Sequence, residues 1–246
     1  MEQKSVAPAL TRGLTILEIV AKEGVIGFNE LKEKMDLHAT TVNRLIKVLM
    51  DEEYLTKNQN SKYTLGIKLL NLSNQETFWN KIIQKLNNSM EQINDKYGIT
   101  VLLTALDKDK ATVIYKIIES SNLGMLEVGN THYDLMNFPW GIIYIAEQSE
   151  NKREELIEKS YNDPSRNMNV VDRKEIDTLI IEANKKKYVD DKGLFFNGRR
   201  FAVPIFLSNG KLIGALCSGS NKENLKNISI DDLIKEMKEA VKGLDL

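Results

Sequence analysis

Between Ala9 and Leu65 the spacing of apolar residues changes once, from a helical period to an alternating one, and this ordered change restricts the fold more than any other feature of the chain. In Ala9–Lys22, Leu10, Leu14, Leu17 and Val20/Ala21 recur at helical spacing, and Gly24 is placed to stop the helix. A second, short helix is predicted over Asn29–Met35, with Asn29 as its N-cap and Leu31 and Met35 on one face. Asp36-Leu37-His38 reads as a turn, after which Val42, Leu45, Ile46 and Leu49 mark a third helical stripe. The period then shortens. Tyr54–Lys57 and Lys62–Leu65 are β-prone runs separated by the polar turn Asn58-Gln59-Asn60-Ser61, a hairpin pattern.

The third helix lies in the stretch DLHATTVNRLIKVLMDEEYL. Taken alone, its polar residues suit a solvated face as well as a DNA-reading one. In a helix-turn-helix, however, the second helix enters the major groove with its N-terminal residues at the base edges. Thr40, Thr41 and Asn43 offer short donors and acceptors, Arg44 can grip guanine or phosphate through two bonds, and Lys47 extends the polar face. Val42, Leu45 and Leu49 are left to pack against the two preceding helices. Lys57, Asn58, Asn60 and Lys62 cluster near the hairpin tip, where a wing meets the phosphate backbone. Asp51-Glu52-Glu53 closes the helix with negative charge, so only its first half is expected to lie close to phosphate.

Beyond Gly66 the texture is mixed. Gly66–Leu72 reads as a connecting segment and Glu76–Tyr97 as a longer amphipathic helix ended by Gly98. Strands are predicted at Ile99–Leu106 and Ala111–Ile118, and at Leu123–Val128 as a third. Helices follow at Trp140–Gln148, Lys152–Tyr161 and Arg173–Lys187. Arg200–Leu207 and Lys211–Cys217 flank the tight turn Ser208-Asn209-Gly210, and a last helix covers Ile230–Val241. Antiparallel strands mixed with helices indicate an α+β fold. The expected division is a winged helix-turn-helix over residues 1–66, a linker helix region over 67–80 and a sensor domain over 81–246.

The segments ALTRGLTILEIVAKEG, FNELKEKMDLHATTVNRLIKVLMDEEYL and KYTLGIKLLNLS resemble the N-terminal winged helix-turn-helix of the IclR-type transcriptional regulators. The resemblance covers Ala9–Ser73 well and continues more weakly to Asn221 through FAVPIF and GKLIGAL. It implies a dimer or dimer of dimers on palindromic double-stranded operator DNA, with a GAF/PAS-like C-terminal domain that holds a small-molecule effector. Thr11 and Arg12 of the first helix and His38 ahead of the third join the expected DNA-contacting set. By the same resemblance, effector contacts are expected from Trp140 and Gly141, from the strand near Asp190, from Arg200, and from Cys217 and Gly219. The chain departs from the family at three places: His38 stands where proline is common, Gly141-Ile142-Ile143 where Gly-Lys-Ala is usual, and Arg200 where a cysteine or small polar residue is frequent.

Two readings of Arg200 are open. Pointing inward, it favours an anionic ligand; paired with Asp190 or Asp191, it reduces or closes the pocket. The run Cys217-Ser218-Gly219-Ser220 likewise reads either as a strand end whose N–H groups and hydroxyls hold an anion or as a turn.

Composition excludes several other classes. Hydrophobic content of 42% and charged content of 28% are those of a globular chain, and the net charge of −1 leaves local basic patches as the only electrostatic route to DNA. The single cysteine, Cys217, forms no intrachain disulfide. The N-terminal MEQKSVAPALTRG lacks an apolar signal core, and the longest apolar run, Phe138–Ala146, is too short to span a bilayer, so a cytoplasmic protein without membrane association is expected. Only two histidines, His38 and His132, are present, and no metal-ligand, phosphate-loop or nucleophile-elbow motif occurs. No enzyme, cofactor or metal is therefore expected. The competing reading is a metabolite-binding protein or enzyme whose N-terminal domain serves only association.

Overall fold

Ile16, Val20, Leu31 and Val42 have no exposed surface, and with Ile46, Leu55 and Tyr63 they bind three helices and a hairpin into one small core. These residues belong to α1 (Pro8–Glu23), α2 (Phe28–Met35), α3 (Ala39–Asp51), β1 (Leu55–Lys57) and β2 (Tyr63–Leu65). The computed structural model describes residues 5–73, 77–118, 126–162, 171–195 and 198–244. It divides into two compact units, Met1–Thr77 and Phe78–Leu246. The division falls inside the stretch 67–80: α4 (Ile67–Ser73) ends the first unit and α5 (Phe78–Tyr97) opens the second.

Local chemistry sets the helix ends in the first unit. α1 begins at Pro8, where a missing N–H costs nothing, and stops at Gly24, whose φ of 71° suits glycine. α2 begins one residue before the sequence suggests. Gly27 is its cap, its N–H donates to the Glu30 carboxylate at 3.0 Å, and Asn29 lies within the first turn. The apolar face of α1 also differs. Gly13, Ile16 and Val20 are buried, whereas Leu10 and Leu14 remain 65% and 52% exposed. β1 and β2 pair in the register Leu55↔Leu65, Thr56↔Thr64 and Lys57↔Tyr63. Ile26, just before α2, adds a third rung by exchanging backbone hydrogen bonds with Tyr63 at 3.0 and 2.8 Å.

The second unit is built on an antiparallel sheet of order β5-β4-β3-β8-β7-β6. Its strands are β3 (Thr100–Asp107), β4 (Lys110–Ile117), β5 (Thr131–His132), β6 (Val189–Asp190), β7 (Arg199–Phe206) and β8 (Leu212–Ser220). One face carries Val101, Leu103, Phe201, Val203 and Leu216, covered by Ile82, Leu86 and Met90 of α5 and by Leu233 and Met237 of α9 (Ile230–Lys242). The other carries Leu102, Ala202, Ala215 and Cys217 beneath α6 (Pro139–Ala146), α7 (Glu150–Tyr161) and α8 (Arg173–Lys186). This is an α+β architecture with the sheet between two helical layers. Pro204 fits within β7 because β6 pairs only with Phe201 and Ala202, leaving no ladder partner on the outer side at Pro204.

Three short elements differ from the sequence reading. β6, β5 and a 3-10 turn at Leu135–Asn137 are each too brief for periodicity to reveal. The strand expected at Leu123–Val128 is not formed over 126–128, and its first half lies outside the described residues. The run Cys217–Ser220 is neither a turn nor an anion-holding strand end. β8 continues through Ser220, and both neighbouring strands take up its backbone.

Gly66 shows how closely the first unit is packed. Its N–H donates to the Tyr54 carbonyl at 2.8 Å, and a Cβ there would lie 2.0 Å from the Glu53 carbonyl oxygen. Gly66→Ala should therefore destabilise this unit by about 3 kcal/mol or more, beyond ordinary overpacking. Thermal unfolding of the full chain, followed by circular dichroism, measures the loss.

Candidate nucleic-acid interface and sensor site

The polar residues of α3 emerge on one side because Val42 and Ile46 are drawn wholly into the core, with Leu45 and Leu49 half-buried beside them. Thr40, Asn43, Arg44 and Lys47 are exposed, Thr41 is half-buried, and His38 occupies the exposed N-cap position with no side-chain hydrogen bond. Val48, which the sequence reading assigned no role, is 59% exposed in line with Thr40 and Arg44.

Across the turn Asp36–His38, Asp36 adopts a φ of 48° and sets α3 off from α2. On the hairpin, Lys57, Asn60 and Lys62 are exposed. Asn58 is instead structural: its Oδ1 accepts the N–H groups of Asn60 and Lys62, each at 3.0 Å, and so shapes the turn. Lys57 lies over the Tyr63 ring at 5.2 Å. Thr11 is similarly engaged, with its hydroxyl 2.5 Å from the Ser5 hydroxyl, whereas Arg12 next to it is exposed.

The charges of this unit are unevenly paired. Lys34 pairs with Glu23 at 3.0 Å and Lys68 with Glu52 at 3.1 Å. Among the described residues, Arg44, Lys47 and Lys62 form no ion pair. The side that carries α3 and the hairpin tip thus keeps its positive charge, the condition for counterion release from a nucleic acid.

In the second unit, strand alternation decides which expected residues meet. Arg200 and Gly219 are paired across β7 and β8, and Gly219 is paired with Thr100 of β3 on its other side. The Arg200 side chain lies over Gly219, where a Cβ would come within 2.9 Å of the arginine Cγ. Arg200 is only 6% exposed. Its Nε donates to Asp191 Oδ2 at 2.6 Å and one terminal N–H group to the Asn137 carbonyl at 2.7 Å. The guanidinium also lies 5.2 Å from the Phe138 ring and 5.7 Å from the Phe195 ring. Of the two open readings of Arg200, the structure shows the paired one. Burial pulls the guanidinium pKa below its ordinary value, and Asp191 opposes that pull.

Asp190 does not join this group. It pairs with Phe201, on the opposite face of the sheet, and its carboxylate binds Arg199 at 2.8 Å. The acid that faces the expected effector side is its neighbour Asp191, one residue later.

Gly141 meets the backbone of the 3-10 turn, where a Cβ would sit 1.9 Å from the Leu135 carbonyl oxygen. Trp140 is buried and stacks on Phe138 at 4.7 Å, and His132 packs on the same Phe138 ring at 4.6 Å. Burial lowers the pKa of His132 and so favours its neutral form. Cys217 is buried with its Sγ 3.8 Å from the Thr104 hydroxyl, and burial pushes its thiol well up, which leaves it unreactive. Among the described residues, no group of three or more His, Cys, Asp or Glu side chains is arranged to hold a metal ion, and no helix is long and apolar enough to cross a membrane.

A helix-turn-helix with a basic wing, followed by a sheet-based second domain, defines the class of two-domain winged-helix regulators. The bacterial transcriptional regulator IclR C-terminal family matches residues 78–246, and the IclR helix-turn-helix domain matches residues 9–59. The chain belongs to the IclR family of bacterial transcriptional regulators. It is similar to the transcriptional regulator KdgR of Escherichia coli, 23% identical over 203 residues, which span 82% of this chain and 77% of that protein. An uncharacterized HTH-type regulator of Haemophilus influenzae is 26% identical over 250 residues, covering 97% of this chain and 91% of its own. Among solved structures, an IclR homologue of Microbacterium hydrocarbonoxydans complexed with 4-hydroxybenzoate has the same fold, with a TM-score of 0.82, 19% identity and 96% of each chain covered.

The buried pair gives a direct test. Arg200→Met leaves Asp191 as an uncompensated buried charge and should cost about 3–5 kcal/mol. Arg200→Met combined with Asp191→Asn removes both charges and keeps Oδ1 for its backbone partners, so it should recover most of that loss. A double-mutant cycle by denaturant unfolding checks both values.

Proposed function

We propose that this regulator binds a palindromic operator as a dimer, reads it with the first half of α3, and changes its operator affinity when a small molecule occupies the second unit. The observation that carries this reading is the unpaired positive charge of Arg44, Lys47 and Lys62 beside the exposed polar face of α3. In this reading Thr40, Thr41, Asn43 and Arg44 contact base edges, Val48 supplies an apolar contact for a thymine methyl, and His38 stands at the helix start. Lys57, Asn60 and Lys62 of the wing, with Arg12, grip phosphates and position the domain.

Dimerisation is supported by the outward faces of α1 and α4. Leu14 of α1 and Ile67 and Leu70 of α4 are exposed, and a groove of about 710 Å³ runs between Leu17, Ala21 and Leu69. A single winged domain contacts too little DNA for tight specific binding, so pairing of two copies supplies the second half-site. The effector reading draws on the solved IclR homologue complexed with 4-hydroxybenzoate, transferred to the region around Trp140, Gly141, Arg200, Cys217 and Gly219. A ligand that binds two dimer arrangements unequally would shift operator affinity by linkage. In keeping with this role the protein is placed in the cytoplasm.

Gel retardation on the DNA upstream of the chain's own gene tests the reading. Retardation that falls with salt is expected, and none at any salt would favour a protein whose first domain serves association only. Arg44→Ala should weaken specific binding by about 1–3 kcal/mol and relax discrimination at one position of each half-site. Lys62→Ala should weaken binding to all sequences and flatten the salt dependence. Leu70→Glu should shift the chain toward monomer in sedimentation velocity and lower operator affinity with it, while the fold persists by circular dichroism.

A further inference from the structure

We propose that the sensor site of this chain carries its own counter-ion: the Asp191 carboxylate stands on Arg200 where the carboxylate of a ligand would otherwise bind, so the site takes an uncharged, hydrogen-bonding ligand and excludes anionic ones. The inference rests on the reading of the second unit as an effector domain. An arginine lining a ligand site ordinarily selects carboxylates through its fixed fork of donors. Here that selection is already spent within the chain. Nε of Arg200 donates to Asp191 Oδ2 at 2.6 Å, and Asp191 has no exposed surface. Its other oxygen accepts the backbone N–H groups of Arg200 at 2.8 Å and Gly193 at 3.0 Å, so the carboxylate is fixed from both ends.

The pair sums to zero charge in a place that water does not reach. A second carboxylate brought beside it would be desolvated and repelled by Asp191 with no cation left to answer it. An uncharged ligand meets neither penalty.

The groups still unmatched nearby are themselves uncharged. Among the described residues, the Thr100 hydroxyl, the Trp140 indole nitrogen and His132 Nε2 are buried without a partner, in a setting where buried polar atoms nearly always have one. Contacts connect all three to Arg200. Thr100 and Arg200 flank Gly219 on the ladder, and the Phe138 ring that packs against Arg200 also packs against Trp140 and His132. The indole N–H only donates, the hydroxyl donates or accepts, and the neutral imidazole nitrogen does either according to its tautomer. Hydroxyl, carbonyl or amide groups on a ligand answer these positions; a carboxylate is not required at any of them.

The test is thermal unfolding of the full chain in sodium formate, sodium acetate and sodium 4-hydroxybenzoate, each against sodium chloride of equal ionic strength. A ligand at about 100 times its Kd raises Tm by several degrees. The unmodified chain should show no such rise with any of the three. Asp191→Ala should melt lower, and formate or acetate should restore several degrees to it, an effect absent from Arg200→Gln. Should Asp191→Ala not fold, Asp191→Ser vacates the same carboxylate position, keeps an acceptor for the backbone N–H groups, and takes the same measurements.

Two results overturn the proposal. One is a carboxylate-induced rise in the unmodified chain that Arg200→Gln abolishes. The other is no carboxylate-specific rise in the Asp191 variant. Operator binding of the unmodified chain, measured alongside by gel retardation, separates the two levels. If it is retained while the carboxylate test fails, only the counter-ion inference falls; if it is absent, the regulator reading falls as well.

Discussion

A cation with almost no exposed surface sets the terms for the second unit. Moving a guanidinium out of water costs several kcal/mol unless its surroundings answer both its charge and its hydrogen bonds. At Arg200 the answers come from five separate places in the chain. Asp191, just past β6, supplies the charge, and Asn137 of the 3-10 turn supplies a carbonyl. Phe138 at the start of α6 and Phe195 supply ring faces, and Gly219 of β8 supplies the space in which the side chain lies. One side chain therefore ties two strands, a loop and a helix start together. Gly141 completes the arrangement by letting the backbone of Leu135 press directly against α6.

The first unit obeys a different constraint, the division of short helices into faces. α3 gives Val42 and Ile46 to the core and its polar line to the outside. α1 gives Ile16 and Val20 to the core and keeps Leu10 and Leu14 outside, an arrangement a monomer has no use for. Charge is partitioned in the same way. Cations such as Lys34 and Lys68 are neutralised by acids, whereas Arg44, Lys47 and Lys62 are not. The nearly neutral chain thus presents a locally basic surface, which its net charge conceals.

The helices and the long strands were legible in the sequence because their apolar periods run for two turns or more. The α1 stripe shows the limit of that signal. Leu10, Leu14 and Leu17 have the spacing of a core face, yet the core takes the adjacent line of Gly13, Ile16 and Val20. Periodicity detects an apolar face without saying whether the chain itself or another copy covers it. The sensor residues were legible as a set of positions, but their pairing was not. Whether Asp190 or Asp191 faces Arg200 depends on a one-residue strand register, and β6 is two residues long. Asn58 looked like a phosphate contact and proved to be the brace of its own turn, a distinction that requires the turn geometry.

The rung between Ile26 and Tyr63 has a mechanical consequence. It fastens the base of the hairpin to the chain just ahead of α2, while Tyr63 itself sits in the same core as Val42 and Ile46. Helix and hairpin then cannot shift against each other without breaking both the backbone bonds and the core, so the reading head moves as one stiff piece. A signal from elsewhere in the molecule has no internal joint there to act on. The adjustable quantity is the separation and tilt of two such heads, a property of the assembly and not of either copy.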